Sequence, residues 1–272
     1  MPKKLGEAEI RRYREQGVVF PVPVLSRADA LSCKRRYESL HGLGVDSRGG
    51  AMTLSLKPHL LFPWLDELVR HPAILDAVED LIGPDILLYS DIFVVKEPRT
   101  SGIFAMHQDR FEWHLEPMEV IHCWLAFSDS TPENGCMRAV PGTHLMGELV
   151  HVPDADKDNV VSYAKKAVGF DESKAVDLVL RAGEMSMHDA GTVHASGPNH
   201  TDDKRVGYIM RFMPPHVRPV GHPRNSATLV RGVDRFGHWE LEPRPARELD
   251  PACLAVYESL HATHAPTRFK YM

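Results

Sequence analysis

The chain has 272 residues, of which 43% are hydrophobic and 25% are charged, with a formal net charge of −5. This composition is that of a globular protein with enough apolar material for a large core, and it excludes disordered and collagen-like chains. No run of Lys and Arg provides the basic stripe that nucleic-acid binding requires, so we expect neither DNA nor RNA as a partner.

The first residues and the cysteines indicate the compartment. The stretch MPKKLGEAEIRRYREQG is charged where a secretory signal would be continuously apolar. No window reaches the roughly 18 apolar residues of a membrane span, so we expect no membrane partner. The four cysteines form no Cys-x-x-Cys pair, which excludes a zinc ribbon and a dithiol redox motif. We therefore predict a cytoplasmic protein with reduced cysteines.

Residues 1–84 carry helix patterns. Gly6–Gln16 is a charged amphipathic segment, and Ser26–Leu40 begins with a serine suited to cap a helix. Trp64–Ile82 has apolar side chains at spacings of three and four and ends at a Gly-Pro pair, while Pro72 divides the pattern. We expect a mainly helical N-terminal section.

From residue 85 the pattern changes to short strands. Seven apolar runs, among them ILLYSDIFVV, EVIHCWLAF and RVGYIMRFM, are separated by turn residues with no helix between them. This pattern predicts a mainly β fold, either a sandwich or a jelly-roll barrel, with the helices buttressing its outside. We expect one domain whose core spans 85–215, with an inserted loop or short helix at 153–175 over the barrel mouth. A C-terminal extension over 216–272 would contain a short helix near Pro251–His261.

A His-x-Asp pair, His107 and Asp109, lies next to a strand-like run. Side chains alternate along a strand with a period of two, so both would point to the same side and form a two-ligand claw. His194 supplies a third ligand from a distant strand. Two histidines and a carboxylate leave positions open on an octahedral iron(II) for a co-substrate and O₂. The pattern therefore predicts an iron site.

Arg205 follows the third ligand after a short turn. A hairpin centred on Asn199-His200 would place Arg205 opposite His194 on the same face, with paired Cβ atoms about 5 Å apart. A guanidinium there would hold the far carboxylate of a dicarboxylic co-substrate in a two-pronged contact. Ser196, two residues beyond the ligand, would donate to the same carboxylate. The segment thus predicts an anion site beside the metal.

Three segments resemble the phytanoyl-CoA dioxygenase family of iron(II)- and 2-oxoglutarate-dependent oxygenases, which includes ectoine hydroxylase. They are His107–Trp113, Asn134–His144 and Gly183–Asn199, in the order found in the family, and the similarity spans roughly residues 7–245. The resemblance implies a double-stranded β-helix, the cupin-like form of the jelly roll. It also implies an oxygenase that hydroxylates a small polar metabolite or natural-product intermediate and releases succinate and CO₂.

Carried over by position, the resemblance assigns the iron to His107, Asp109 and His194. It implies contacts to 2-oxoglutarate from four residues: Arg205, Ser196, Trp124 and Lys57. Relatives that chlorinate their substrates lack the carboxylate ligand. The presence of Asp109 therefore implies oxygen insertion or hydrogen abstraction.

The resemblance further implies that the stretch after the claw lines the substrate pocket, with Arg110, Phe111 and Trp113 as contacts. Arg211 shares the strand face of Arg205, and an inward arginine is costly unless it meets an anion. We therefore predict Arg211 as a substrate anchor.

Neighbouring polar residues have simpler interpretations. We expect Gln108, between two ligands, to point away from the metal, and we predict His122, inside an apolar run, as a core histidine. His188 is separated from the ligand His194 by a turn, so we do not assign it to the metal.

Two other functions could use the same three ligands: a zinc-dependent hydrolase and a non-catalytic metal-binding barrel. Two histidines and a carboxylate with an open position also suit zinc. No Glu is placed as a general base in the manner of His-Glu-x-x-His, and a hydrolase would have no use for Arg205. Consumption of 2-oxoglutarate coupled to succinate release separates these functions.

Overall fold

The computed structural model describes residues 2–40, 56–161, 165–221 and 226–263, without the side chains of 111, 112 and 261–263. The α-helices within these ranges are α1 (Glu7–Gln16), α2 (Arg27–Leu40), α3 (Pro63–Val69), α4 (Pro72–Ile82) and α5 (Pro251–Thr263). The strands are β1 (Val18–Pro23), β2 (Ile86–Lys96), β3 (Phe104–His107), β4 (Leu115–Glu116), β5 (Ile121–Ala126), β6 (Met137–Ala139), β7 (His151–Pro153), β8 (Lys165–Ala167), β9 (Val176–Asp177), β10 (Glu184–Asp189), β11 (His194–Ser196), β12 (Arg205–Met213), β13 (Arg218–Pro219), β14 (Ser226–Arg231) and β15 (Glu240–Leu241).

Two sheets form the jelly roll. The major sheet has the order β1-β10-β5-β12-β2-β14-β15, and the minor sheet has the order β3-β11-β6-β9. Their inner faces share one apolar cluster, to which the major sheet contributes Trp124 and Ile209 and the minor sheet contributes Met137 and Ala139. The predicted mainly β fold, a double-stranded β-helix with outer helices, is confirmed.

The helices cover the other face of the major sheet. Tyr37 of α2, Leu65 of α3 and Ile74 of α4 are buried in one cluster with Phe93 and Tyr208 of the sheet. Segments predicted as helical form α1, α2 and, divided at the predicted proline, α3 and α4. No helix within the described ranges has the length and apolar character that crossing a membrane requires.

The end of α1 fixes the chain against the loop that leads into β11. Gly17 closes the helix in the left-handed region with φ 72°, a conformation that favours glycine. A Cβ atom at this position would lie 2.4 Å from His144 Nδ1 and 2.5 Å from Thr192 Oγ1, so only glycine allows this approach. The hydroxyl of Thr192 donates to the Gly17 carbonyl at 2.8 Å. The helix end therefore supports the backbone just before His194.

The major sheet extends beyond the predicted core boundaries of 85 and 215. β1 comes from the section predicted as helical and pairs with β10 at the sheet edge, where its prolines remove few ladder hydrogen bonds. On the other side β14 pairs with β2. The segment 153–175, predicted as a loop or short helix, contributes β8, which pairs with β7; residues 162–164 lie outside the described ranges.

A buried charged network lies on the helical side of the major sheet. Lys57 Nζ donates to Glu242 and, at 2.7 Å, to the carbonyl of Ser226. His59 Nδ1 contacts the Asp91 carboxylate, and its Nε2 lies 2.7 Å from the hydroxyl of Thr228, which itself donates to Glu242 at 2.6 Å. Two cations therefore face two carboxylates, and the network is balanced.

The network shifts the pKa values of its members. Burial acts to lower the pKa of His59, but Asp91 and Glu242 outweigh it and raise that pKa to about 9. Burial acts to raise the pKa of Glu242, but Lys57 and His59 hold it well below its usual value. The folded state thus favours the charged form of both groups.

Replacing Glu242 with Gln should lower the free energy of unfolding by about 3–5 kcal/mol, because Lys57 would remain buried without its anion and His59 would keep only Asp91. In the wild type, the contribution of His59 is complete below pH 6.5 and is lost as the pH rises through about 9. The contribution of Glu242 is complete above pH 4.5 and is lost at lower pH. Urea unfolding across this pH range measures both effects.

The matched control is Glu116→Gln, which removes an exposed ion pair with Arg218 and should leave the unfolding free energy nearly unchanged. Equal stability of the Glu242→Gln protein and the wild type would contradict the account of the network.

Candidate metal centre

Three side chains with metal-ligand chemistry meet between the sheets. His107 ends β3 and His194 begins β11, and the register places them directly opposite each other with ring centroids 4.2 Å apart. With Asp109 they form a set whose ligand atoms all lie within 4.8 Å of one another. Across the described residues this is the one group of His, Cys, Asp or Glu with such spacing.

Backbone carbonyls orient both imidazoles. His107 Nδ1 lies 2.8 Å from the carbonyl of Ala105, and His194 Nδ1 lies 3.0 Å from that of Thr192. A carbonyl only accepts, so the proton is on Nδ1 and Nε2 carries the lone pair that a metal uses. Burial, followed by the neighbouring His107, lowers the pKa of His194 to about 3, so its ring is neutral.

Asp109 begins a 3-10 turn, Asp109–Glu112, immediately after the strand of His107. Its Oδ1 lies 3.4 Å from His107 Nε2, and its Oδ2 lies 3.0 Å from His122 Nδ1. Burial acts to raise the pKa of Asp109, but the imidazoles of His107 and His122 hold it well below the usual value. The carboxylate is therefore ionised and available as a ligand.

Gln108 points away from the ligands, as predicted. Its Nε2 donates to the carbonyls of Gly191 at 2.7 Å and Gly147 at 3.0 Å, and its Oε1 accepts from Leu149 N at 2.8 Å. These bonds connect the ligand strand to the turn before β11 and to the chain before β7.

Arg205 and His194 do not form the predicted hairpin. Arg205 lies in β12 of the major sheet, whereas His194 lies in β11 of the minor sheet, because the connecting segment crosses between the sheets. The predicted neighbourhood is nevertheless present. Arg205 Nη1 donates to the carbonyl of Gly135 and lies 3.5 Å from Ser196 Oγ, which donates to the same carbonyl at 2.9 Å.

Lys96 was not predicted as a site residue from the sequence. It lies directly opposite Arg205 in the register of β2 and β12, and its Nζ donates to the carbonyl of Gly102 at 2.6 Å. Burial, followed by Arg205, lowers the pKa of Lys96 to about 7, and burial lowers the pKa of Arg205 to about 10. Lys96 follows the inward residues Ile92 and Val94 at the same spacing of two along β2, and this spacing was the available signal.

These two buried cations have no carboxylate partner among the described residues. Like charges directly opposite each other on a sheet are unfavourable, and a buried cation is costly unless it is paired. The Trp124 ring lies 5.1 Å from the Arg205 guanidinium carbon and stabilises Arg205 through a cation–π contact. A Cβ at Gly207 would lie 2.0 Å from Trp124, so the glycine makes room for this ring. The arrangement suits an anion.

Trp113 and Arg211, predicted as substrate contacts, lie beside the carboxylate ligand. Arg211 Nη2 is 3.7 Å from Asp109 Oδ2, and the guanidinium lies over the Trp113 ring at 5.3 Å. Trp113 also stacks on His122 with ring centroids 5.0 Å apart. The structure therefore brings both residues to the metal ligands.

The two other predicted pocket residues have different outcomes. The Arg110 guanidinium lies beside Gly191 and near the Asp189 carboxylate, and its contact with a substrate stays a prediction. The side chain of Phe111 lies outside the described residues.

Lys57 is not part of the site, which corrects its prediction as a 2-oxoglutarate contact. Its ammonium is bonded to Glu242 and Ser226 in the network on the helical face, and its backbone N–H bonds to Asp91. An ammonium already held by a buried carboxylate has no need of another anion.

His122 is a core histidine, as predicted, and His188 is also fully buried; both contact the ligand set. Their ring centroids are 4.7 Å apart, and the centroid of His188 is 4.8 Å from that of His194. Burial is the main cause that lowers the pKa of both rings. Neutral imidazoles therefore pack against the metal ligands.

Residues 13–207 match the phytanoyl-CoA dioxygenase (PhyH) family. The solved apo structure of the non-heme monooxygenase ThoJ is 34% identical, with 95% of this chain and 96% of that chain covered and a TM-score of 0.83. The epimerase SnoN, solved with Fe3+, alpha ketoglutarate and nogalamycin RO, is 26% identical over 78% of this chain and 85% of its own, with a TM-score of 0.64.

Among curated proteins, the phytanoyl-CoA dioxygenase domain-containing protein 1 homolog of Dictyostelium discoideum is 30% identical over 158 residues, which is 57% of this chain and 56% of that protein. The chain thus spans about half the length of the first curated relatives that it matches. The family match covers well over half of the chain. The chain belongs to the phytanoyl-CoA dioxygenase family.

Proposed function

We propose that the chain is an iron(II)- and 2-oxoglutarate-dependent dioxygenase that hydroxylates a small polar metabolite or natural-product intermediate and releases succinate and CO₂. One observation carries the proposal: the His107, Asp109 and His194 set lies beside two buried cations that lack a counter-anion. The sequence prediction of one cytoplasmic oxygenase domain over 1–272 stays part of this proposal.

The donor set fits iron(II). Two imidazoles with Nδ1 protonated and one ionised carboxylate form the two-His, one-carboxylate set of non-haem oxygenases, which leaves positions open for other ligands. When bound, iron(II) supplies the chemistry by which O₂ oxidises 2-oxoglutarate to succinate and CO₂ and also oxidises a C–H bond of the substrate. Because Asp109 is present, no ligand position is left for a halide in its place, and we propose hydroxylation instead of chlorination.

The cation pair fits the co-substrate. Arg205 and Lys96 would neutralise the far carboxylate of 2-oxoglutarate, and Ser196 Oγ would donate to it. Trp124, under the Arg205 guanidinium, would exclude water from this end of the pocket. A zinc hydrolase or a non-catalytic barrel would give these buried cations no function, so the oxygenase is the better account.

Replacing any of His107, Asp109 or His194 with Ala should abolish turnover while the fold is kept, because each removes one metal donor. Iron(II) affinity should fall by at least about ten- to a hundredfold, since loss of a residue that only supports a ligand already costs that much. The measurement is iron(II) titration together with succinate release from 2-oxoglutarate. Gln16→Ala, on an exposed helix position, is the control. Full succinate release by the His194→Ala protein would refute the assignment of the metal site.

Replacing Arg205 with Ala should weaken 2-oxoglutarate binding roughly a hundred- to several-thousand-fold, since a buried carboxylate would lose a partner worth about 3–5 kcal/mol. Iron should still bind because its donors remain. Arg205→Lys should recover part of the loss, since an ammonium cannot make the two-pronged contact. Anaerobic titration of the iron(II)–2-oxoglutarate charge-transfer band gives each affinity. An unchanged affinity in the alanine variant would remove the co-substrate from this site.

A further inference from the structure

A row of polar side chains crosses the inner face of the major sheet beside the metal ligands. His188, His122, Arg211 and Ser90 lie directly opposite one another across β10, β5, β12 and β2. Arg211 is the one member of this row that is always charged, because a guanidinium is not deprotonated in proteins.

The contacts of Arg211 leave its hydrogen-bonding capacity largely unused. Nη1 lies 3.4 Å from Ser90 Oγ and Nη2 lies 3.7 Å from Asp109 Oδ2, both longer than the usual 2.7–3.2 Å of an N–H···O bond. Its Nε is buried and has no hydrogen-bond partner among the described residues. A guanidinium has five N–H donors in a planar fork. Arg211 thus offers donors next to a metal ligand with no strong acceptor facing them.

The charge of the loaded site points to the same conclusion. Iron(II) and Arg205 would carry three positive charges, and Asp109 and the 2-oxoglutarate dianion would match them with three negative charges. The charge of Arg211 then has no counterpart, and Lys96 adds to the positive excess when protonated. A substrate with one negative charge would restore the balance.

An aromatic wall continues from the guanidinium. Trp113 lies under Arg211, Tyr89 meets Trp113 edge-on with centroids 5.4 Å apart, and Trp239 meets Tyr89 at 5.7 Å. A guanidinium held over a ring keeps its in-plane N–H groups available to a carboxylate. The side chains of Arg211 and Asp109 are 13% and 18% exposed, so neither is fully buried.

We propose that Arg211 binds the carboxylate of an anionic substrate whose apolar part packs against Trp113 and Tyr89. The inference rests on the proposed function, because it places the substrate beside the same metal ligands. Since Arg211 Nη2 lies 3.7 Å from Asp109 Oδ2, a carboxylate on the guanidinium holds its neighbouring carbons next to the metal site. The substrate class is a carboxylic acid that is oxidised close to its carboxylate.

The test uses the anaerobic wild-type protein with iron(II) and saturating 2-oxoglutarate. Acetate, benzoate and hydrocinnamate are each titrated beside the corresponding primary amide, and the charge-transfer band reports binding near the metal. At least the aromatic acids should perturb the band at concentrations roughly ten- to a hundredfold lower than their amides, because a charge-assisted hydrogen bond distinguishes them. Arg211→Gln should abolish this preference, Arg211→Lys should keep part of it, and the surface control Arg138→Gln should keep all of it.

The outcomes separate this proposal from the proposed function. If the wild-type band does not form, the proposed function fails. If it forms but no acid perturbs it, if acids and amides act equally, or if Arg211→Gln keeps the preference, the anionic substrate is overturned. If Arg211→Gln itself cannot form the band, Arg211 supports Asp109 and not a substrate, which also overturns the proposal.

Discussion

The pairing of β3 with β11 is the constraint on which the site depends. Because His107 and His194 are directly opposite in that register, a shift by one residue would turn one imidazole to the other face of the minor sheet. The carbonyls of Ala105 and Thr192, each two residues before a ligand, then fix the ring orientations. Gln108 and the end of α1 anchor the backbone on both sides of this pair. The metal geometry is therefore set mainly by backbone positions.

Buried charges are paired on one face of the major sheet and largely unpaired on the other. On the helical face, Lys57 and His59 meet Glu242 and Asp91, and the charges cancel. On the inner face, positive groups lie on neighbouring strands without carboxylates in salt-bridge contact, apart from the long approach of Arg211 to Asp109. Paired charges are compatible with burial, whereas unpaired buried charge is costly and indicates a ligand that arrives from outside. This contrast distinguishes structural polar groups from functional ones.

The sequence predicted the fold class and the ligand set because both are local or periodic signals. Alternating short strands indicate a jelly roll, and a His-x-Asp pair is visible without knowledge of the fold. Arg205 was placed near the ligands by an incorrect hairpin, since sequence patterns do not show which sheet a strand joins. Arg205 is nevertheless close to the ligand strand because the two sheets pack face to face.

Other residues could not be placed from the sequence because their roles depend on strand register. Lys96 is a candidate for co-substrate binding only because β2 pairs with β12 so that it faces Arg205. The position of Lys57 could be predicted only with its partner Glu242, which lies far along the chain in the C-terminal extension. His122 looks like a core residue in the sequence and His188 was only left out of the ligand set; their contact with the ligands appears only once β5 and β10 are paired.

The central claim is that one interior holds both the metal and the far carboxylate of its co-substrate. Anomalous diffraction from anaerobic crystals grown with iron(II) and 2-oxoglutarate tests it directly. The account predicts an iron peak bonded to His107 Nε2, His194 Nε2 and an Asp109 oxygen, with the distal carboxylate of 2-oxoglutarate on Arg205 and Lys96. A metal bound by other side chains, or a co-substrate carboxylate placed away from these two cations, would contradict it.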